Sequence, residues 1–239
     1  MRIDRVTEGV YRLLDEIVAG TFPEGEALPG EIKLAEYLEV SRPTSREIVR
    51  TLANRGVVEV IHGRGTFVQP QSQWTDVRTV VYALSKQLDK KQVGMYLTQL
   101  RRMIEVGSAG LAAYNISDSH LERMRGSLQR YKDASERDDS EAATIADVDF
   151  HDAILDATGN PFLRAMMLPL KGALASSRLE TNSVEEIRER AIRHHERILA
   201  AIEAGDTQAA KDAMRGHMGQ TFDDIKAYVE GADADFPFH

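Results

Sequence analysis

The chain has 239 residues, 42% hydrophobic and 28% charged, with seven histidines, no cysteine and a formal net charge of −8. That length suits two globular domains with real cores, and the acidic balance excludes a generally sticky nucleic-acid binder, so any DNA contact must be local. The lack of cysteine excludes disulfides and thiolate metal sites. No apolar run is long enough to span a membrane and the start MRIDRVTEGV lacks a signal-peptide core, so a cytoplasmic protein with no membrane partner is expected.

In chain order, residues 7–19 are amphipathic, with Val10, Leu13, Leu14 and Val18 on one side and Gly20 at the end. They predict a first helix, which packs behind the helix expected over 42–55. Leu28-Pro29-Gly30-Glu31 opens a short helix with Leu34, Ala35 and Leu38 inward, and Val40 leads directly into Ser41. Ser41 is a good N-cap for the helix over 42–55, whose apolar positions are Ile48, Val49 and Leu52 and whose stop is Asn54 to Gly56. The remaining positions carry Arg42, Thr44, Ser45, Arg46 and Arg50, donors suited to phosphates and base edges, and Pro43 sits in the first turn, where a missing N–H costs little. The basic end is also the helix N-terminus, which favours phosphate.

A β-rich run over 57–61, a tip of His62-Gly63-Arg64-Gly65 and a second run over 66–69 predict a hairpin. An ordinary solvated helix and hairpin would carry similar residues. The order of two short helices, a tight turn and a wing instead favours a winged helix-turn-helix that binds double-stranded DNA. This domain is expected over 1–70, with a polar linker over 71–76 in which Trp74 is a packed anchor.

Beyond the linker every segment reads as helix: 77–88, 93–115, 119–134, 141–157, 161–178, 184–204 and 207–230. The fold class is therefore mainly α: the winged head followed by an all-α antiparallel bundle over 77–231. Gly159 and Gly205 sit just past helix ends, where a left-handed residue is needed. Pro169 should kink its helix, residues 133–141 read as a charged loop or frayed end, and 232–239 as a mobile tail.

Helical phase singles out part of the histidine set. Asp147 and His151 are four apart and share a face. The stripe Ile187, Ala191, Ile198 and Ile202 runs through His195 and turns His194 away, and the stripe Ala210, Ala213, Thr221 and Ile225 passes through His217. Each histidine alone reads as a hydrogen-bonded core residue. Jointly, three imidazoles and a carboxylate converging in one bundle interior suit a divalent ion, zinc first and nickel or manganese as alternatives.

The stretch LPGEIKLAEYLEVSRPTSREIVRTL and the wing GRGTFV resemble the GntR family of bacterial transcription regulators. That resemblance places Arg42, Thr44 and Arg46 on DNA-contacting positions and His62 and Gly63 on a wing tip that approaches the minor groove. Ile32 departs from it, standing where the family usually has an Arg that touches the operator. Asp147-Val-Asp-Phe-His151, Ala157-Thr-Gly-Asn-Pro161, the run from His195 to Asp206 and Met214-Arg-Gly-His217 look like the FCD effector domain of the FadR-like branch. By that likeness Asp147, His151, His195 and His217 hold a metal while Asp149 and His194 do not, and Arg101, in Leu-Arg-Arg-Met-Ile-Glu, points toward a carboxylate ligand.

The expected function is a ligand-responsive transcriptional regulator rather than an enzyme. A homodimer would read a short pseudo-palindromic operator, and a small carboxylate or sugar-acid effector bound near the ion would relieve repression. Two alternatives stay open at this point: a metal-dependent hydrolase or lyase with an accessory DNA domain, and the same regulator with a purely structural ion.

Overall fold

The computed structural model describes residues 4–231, so the tail expected to be mobile, 232–239, lies outside the described residues. The chain divides into two compact units between Gln87 and Leu88.

The first unit begins with α1 (Arg5–Val18), α2 (Glu31–Tyr37) and α3 (Arg42–Asn54). The turn between α2 and α3 is tight enough to hold Glu39 at φ 55°, and the Ser41 side chain caps α3 by accepting from the Thr44 N–H. Val10, Leu13, Leu14, Leu34, Ile48, Leu52, Val57 and Val68 form one buried cluster. Each such aliphatic side chain contributes about 1.5–3 kcal/mol when fully buried. Helices α1 and α3 approach so closely at Gly9 that a Cβ there would run into the Ile48 side chain. Strands β1 (Val58–Ile61) and β2 (Gly65–Val68) pair antiparallel, with Val58 opposite Val68 and Ile61 opposite Gly65. Gly63, at φ 74°, supplies the left-handed residue of the wing tip.

Helix α4 (Val77–Gln87) belongs to this first unit, so the division falls after it and not at the linker expected over 71–76. The reason is local: the Tyr82 hydroxyl donates to Asp15 Oδ1 at 2.7 Å, its ring lies 4.9 Å from that of Tyr11, and Ala83 is buried. Trp74 donates its indole N–H to the Gln69 carbonyl and packs against the same core, as an anchor should.

The second unit is helical throughout its described residues: α5 (Lys90–Asn115), α6 (Asp118–Glu136), α7 (Ser140–Ala157), α8 (Pro161–Met167), α9 (Lys171–Asn182), α10 (Glu185–Glu203) and α11 (Thr207–Tyr228). A capping box between Asp89 and Gln92 starts α5 earlier than the apolar pattern predicts. The helix expected over 161–178 is two, because Pro169 lies in a 3-10 turn, Leu168–Leu170, that separates α8 from α9. The charged stretch over 133–141, expected as a loop or frayed end, holds the end of α6 at Glu136 and the start of α7 after its cap, Asp139. Gly159 and Gly205 take φ 69° and 68° past their helix ends. Small residues let the central helices close together: Ala109, Ala112, Ala153 and Ala210 are wholly buried beside Phe150, Ile198, Met214 and Met218. Among the described residues no helix is long and apolar enough to cross a membrane.

Candidate metal centre and nucleic-acid interface

On the first unit, Arg42, Arg46 and Arg50 stand exposed on α3, and His62, Gly63 and Arg64 are exposed at the wing tip. Thr44 is half-buried, its hydroxyl 2.8 Å from Ser41 Oγ. Arg46 pairs with Glu31, Arg50 lies 3.6 Å from Glu47, and the Arg64 guanidinium stands 5.6 Å from the Phe67 ring. Such exposed pairs are worth about 0–1 kcal/mol, so a phosphate can replace the carboxylates at small cost. Ser45 is a correction. Its side chain is 0% exposed and its hydroxyl has no hydrogen-bond partner, because it shares the inward face with Ile48 and Leu52. A hydroxyl enclosed in that core does not reach DNA. Ile32 is 49% exposed and offers no donor at its position.

In the second unit, α7 supplies Asp147 and His151, α10 supplies His195 and α11 supplies His217, and all four side chains are buried. Their inner atoms converge: Asp147 Oδ1 is 3.3 Å from His195 Nε2 and 3.6 Å from His151 Nε2, and His151 Nε2 is 3.3 Å from His217 Nε2. Metal–ligand bonds of roughly 2.0–2.1 Å imply donor–donor edges of about 3–3.4 Å, close to these three separations, and the ligand atoms of the three histidines all lie within 4.8 Å of one another, a group that could hold a metal ion. A second observation agrees: neither ring nitrogen of the buried His195 makes a hydrogen bond, a cost that a bound ion would remove. Burial pushes the His195 imidazole down to about 3 and lowers His151 and His217 as well. The rings are therefore neutral near pH 7, the form that ligates. His194 is half-buried, its ring 5.7 Å from that of His217 and outside the cluster of three. Asp149 faces outward onto Arg130 at 3.0 Å.

Arg101 is buried, with Nε 2.7 Å from Glu105 Oε1 and Nη2 3.1 Å from His151 Nε2. Two further partners complete this network: Glu105, which closes the Leu-Arg-Arg-Met-Ile-Glu stretch, and Arg178. Glu105 Oε2 lies 2.6 Å from His151 Nδ1, which orients that ring with Nε2 inward. Burial alone would raise the Glu105 carboxyl, but Arg101 and His151 outweigh it and hold it well below the usual carboxylate range. Arg178, on α9, places Nε 2.7 Å from Asp147 Oδ2 and Nη2 3.9 Å from Glu105 Oε1. The four-residue spacing of Arg101 and Glu105 is a readable signal for the first of these. Nothing local marks Arg178, since a buried arginine and a solvated one look alike in sequence. The formal charges of Arg101 and Arg178 cancel those of Glu105 and Asp147.

A small hollow of about 30 Å³ opens beside the histidines, with Arg101, Asp147, Arg178 and His217 in its lining. A second hollow is lined by Glu105, His151 and Arg178 as well, together with Asp152, Arg164, Lys171 and apolar residues such as Val148, Leu155, Met167 and Leu174.

Two family models match the chain: "Bacterial regulatory proteins, gntR family" over residues 7–68 and "FCD domain" over residues 96–220. The chain is 31% identical over 218 residues to the HTH-type transcriptional regulator LutR of Bacillus subtilis (strain 168), covering 88% of this chain and 96% of that protein. It is 26% identical to the Galactonate operon transcriptional repressor of Escherichia coli (strain K12), covering 89% and 93%. Among solved structures, Streptococcus agalactiae GntR superposes with a TM-score of 0.51 at 30% identity, covering 91% of this chain and 99% of that one.

Proposed function

The chain belongs to the GntR family of bacterial transcriptional regulators and carries an FCD domain, and from that premise we propose that it is an acid-responsive repressor. It binds operator DNA as a homodimer, each subunit reading one half-site through Arg42, Arg46, Arg50 and the wing residues His62, Gly63 and Arg64. Thr44 adds a phosphate contact from the first turn of α3. The effector is a small organic acid bound beside a divalent ion that Asp147, His151, His195 and His217 would hold. Zinc suits three imidazoles and a carboxylate best.

The observation that carries this reading is the position of Arg101, which lines a hollow beside the histidines with a guanidinium nitrogen 3.1 Å from His151 Nε2. Charge supports it. With the two buried arginines and two buried carboxylates cancelling and the imidazoles neutral, a divalent ion leaves an excess of positive charge away from water, which an anion offsets. When bound, the ion supplies a Lewis-acidic position for a carboxylate oxygen. Arg101 orients the same carboxylate through its planar fork, and Glu105 keeps both Arg101 and His151 in place. An enzymatic reading finds no base: Asp149 is engaged outward with Arg130, and Glu105 is committed to Arg101 and His151.

The test is a gel-shift titration on operator DNA with and without organic acids, in wild type and Arg101→Lys. A point charge does not replace a planar fork, so the variant should bind DNA normally and lose most of its response to acid. An equal response in both proteins would return Arg101 to a packing role. Metal removal separates a sensing ion from a purely structural one, because a sensing ion takes the acid response with it while a structural ion takes the fold of the domain.

A further inference from the structure

The arginines exposed on α3 are held in different ways. Arg42 makes no ion pair among the described residues. Arg50 lies 3.6 Å, through Nη1, from Glu47 on its own helix. Arg46 instead pairs through Nε with Oε1 of Glu31, the first residue of α2, so its partner is mounted on a separate element. Both mounts are fixed. Leu34 and Ala35 bury the inward side of α2, and just before that helix the Leu28 N–H donates to the Thr66 carbonyl of the wing at 2.8 Å. Ile48 and Leu52 bury the inward side of α3. A guanidinium carries one N–H at Nε and a planar fork of terminal N–H groups. The contact at Nε leaves the fork of Arg46 without a partner among the described residues, and such a fork matches the O6 and N7 acceptors of guanine.

We infer that Glu31 is a positioning residue for base reading: it holds the Arg46 guanidinium at Nε so that the free fork addresses one guanine in the major groove of each half-site. The inference rests on the DNA-binding reading above and goes beyond it by giving sequence specificity to an acidic residue. An exposed pair adds little to the stability of the head. Its effect is orientation, since an arginine already held in place loses less freedom on meeting a base. A phosphate would compete with Glu31 for the guanidinium, whereas a base edge meets the fork and leaves the pair intact. Charge gives the inference a sign. A carboxylate beside DNA repels phosphates, so a Glu31 with no positioning role would weaken binding to every sequence, and neutralising it would tighten binding everywhere. Neutralising a carboxylate that positions Arg46 does the reverse on the preferred sequence and leaves unrelated DNA bound as well as before or better.

The experiment uses the full-length protein and a duplex that the wild type selects from a random-sequence library, with affinity read by fluorescence anisotropy against an unrelated duplex at one salt concentration. Each half-site guanine is replaced in turn by 7-deazaguanine, which keeps the base pair and removes the N7 acceptor. One replacement should weaken wild-type binding about tenfold or more and leave Arg46→Ala unaffected, which marks the guanine. Glu31→Gln should lose most of that sensitivity, bind the selected duplex about tenfold more weakly and bind the unrelated duplex at least as tightly as wild type. In the Arg46→Ala background the same change should no longer weaken binding. Glu47→Gln, which removes the carboxylate beside Arg50, should keep the guanine preference. Full guanine sensitivity in Glu31→Gln, or tighter binding of that variant to both duplexes, overturns the inference and leaves the DNA-binding reading standing. A wild type with no guanine that depends on Arg46 overturns it too. Failure of the wild type to enrich any sequence removes the DNA-binding reading along with it.

Discussion

Arg178 Nε lies 2.7 Å from Asp147 Oδ2, while the other oxygen of the same carboxylate lies 3.3 Å from His195 Nε2. The carboxylate is thereby divided, one oxygen held by a cation and the other presented to the imidazoles. Arg178 is on that account a positioning residue. Arg178→Met should lower zinc affinity by about 10–100-fold, the usual effect of losing an outer partner of a ligand. It should also destabilise the helical unit by about 3–5 kcal/mol, because buried carboxylates lose their counter-charge. A competition dye reads the first and calorimetric unfolding the second. Arg178→Lys, which keeps the charge, should recover stability more than it recovers metal affinity. Wild-type zinc affinity in both variants would sink the positioning role.

The adjacent histidines provide an internal control for the ion. His195→Ala and His217→Ala should each reduce bound divalent metal in elemental analysis, and His194→Ala should not. Full loading of the His195 variant together with loss in the His194 variant would reverse the assignment, and full loading of every variant would dismiss the centre.

Protons should act on the metal-free protein in a defined direction. Burial lowers the His151, His195 and His217 imidazoles, His195 to about 3 from the ordinary 6.5. Below about 6.5 the unfolded chain therefore binds more protons than the native one, and native stability falls as pH falls. Asp147 and Glu105, held below their ordinary values, add stability that disappears only in more acidic solution. The unfolding temperature of chelator-treated protein should drop between about pH 7.5 and about pH 5.5, and His195→Gln should flatten that dependence. An equally steep dependence in the variant would mean that other groups carry it.

On the DNA side, Arg42→Ala and Arg46→Ala should each weaken binding to a selected operator by about 1–3 kcal/mol, or roughly ten- to hundredfold. Affinity should fall steeply with added salt. Ser45→Ala should leave DNA affinity at the wild-type level and should not destabilise the head, since it deletes a buried hydroxyl that has no partner. A gel-shift loss confined to the Ser45 variant would contradict the direction in which α3 faces.

Periodicity makes much of this molecule legible. Helix phase alone distinguishes His195 from His194, because a rotation of about 100° per residue separates a buried ring from its neighbour. The helix-turn-helix and wing are readable from caps, turn residues and a change of period. Ser45 is misleading because its hydroxyl suggests a donor, although its place three and seven positions before Ile48 and Leu52 puts it on the inward face. Arg178 escapes for a related reason: a charged residue reads as solvated unless its partner is known, and Arg178 meets Asp147 only in the folded bundle. Pro169 announces a kink, but sequence does not say whether the next turn resumes the same axis. Helix α4 reads as part of the bundle because the preceding stretch is polar, whereas Tyr82 and Asp15 tie it to the head.

The spacing of the four metal-facing side chains also bears on how the protein is made. Only Asp147 and His151 share a helix, and His151 faces His217 across 66 positions of chain. Closing a loop of that length costs on the order of 4 kcal/mol in entropy, so a nascent or unfolded chain offers an ion two donors at most from one segment. A polypeptide leaving the ribosome would hold no complete set until α11 had emerged and docked. Ion capture by this set would therefore be a late event of biosynthesis, and metal retention by a variant would report that its last helix has found its place.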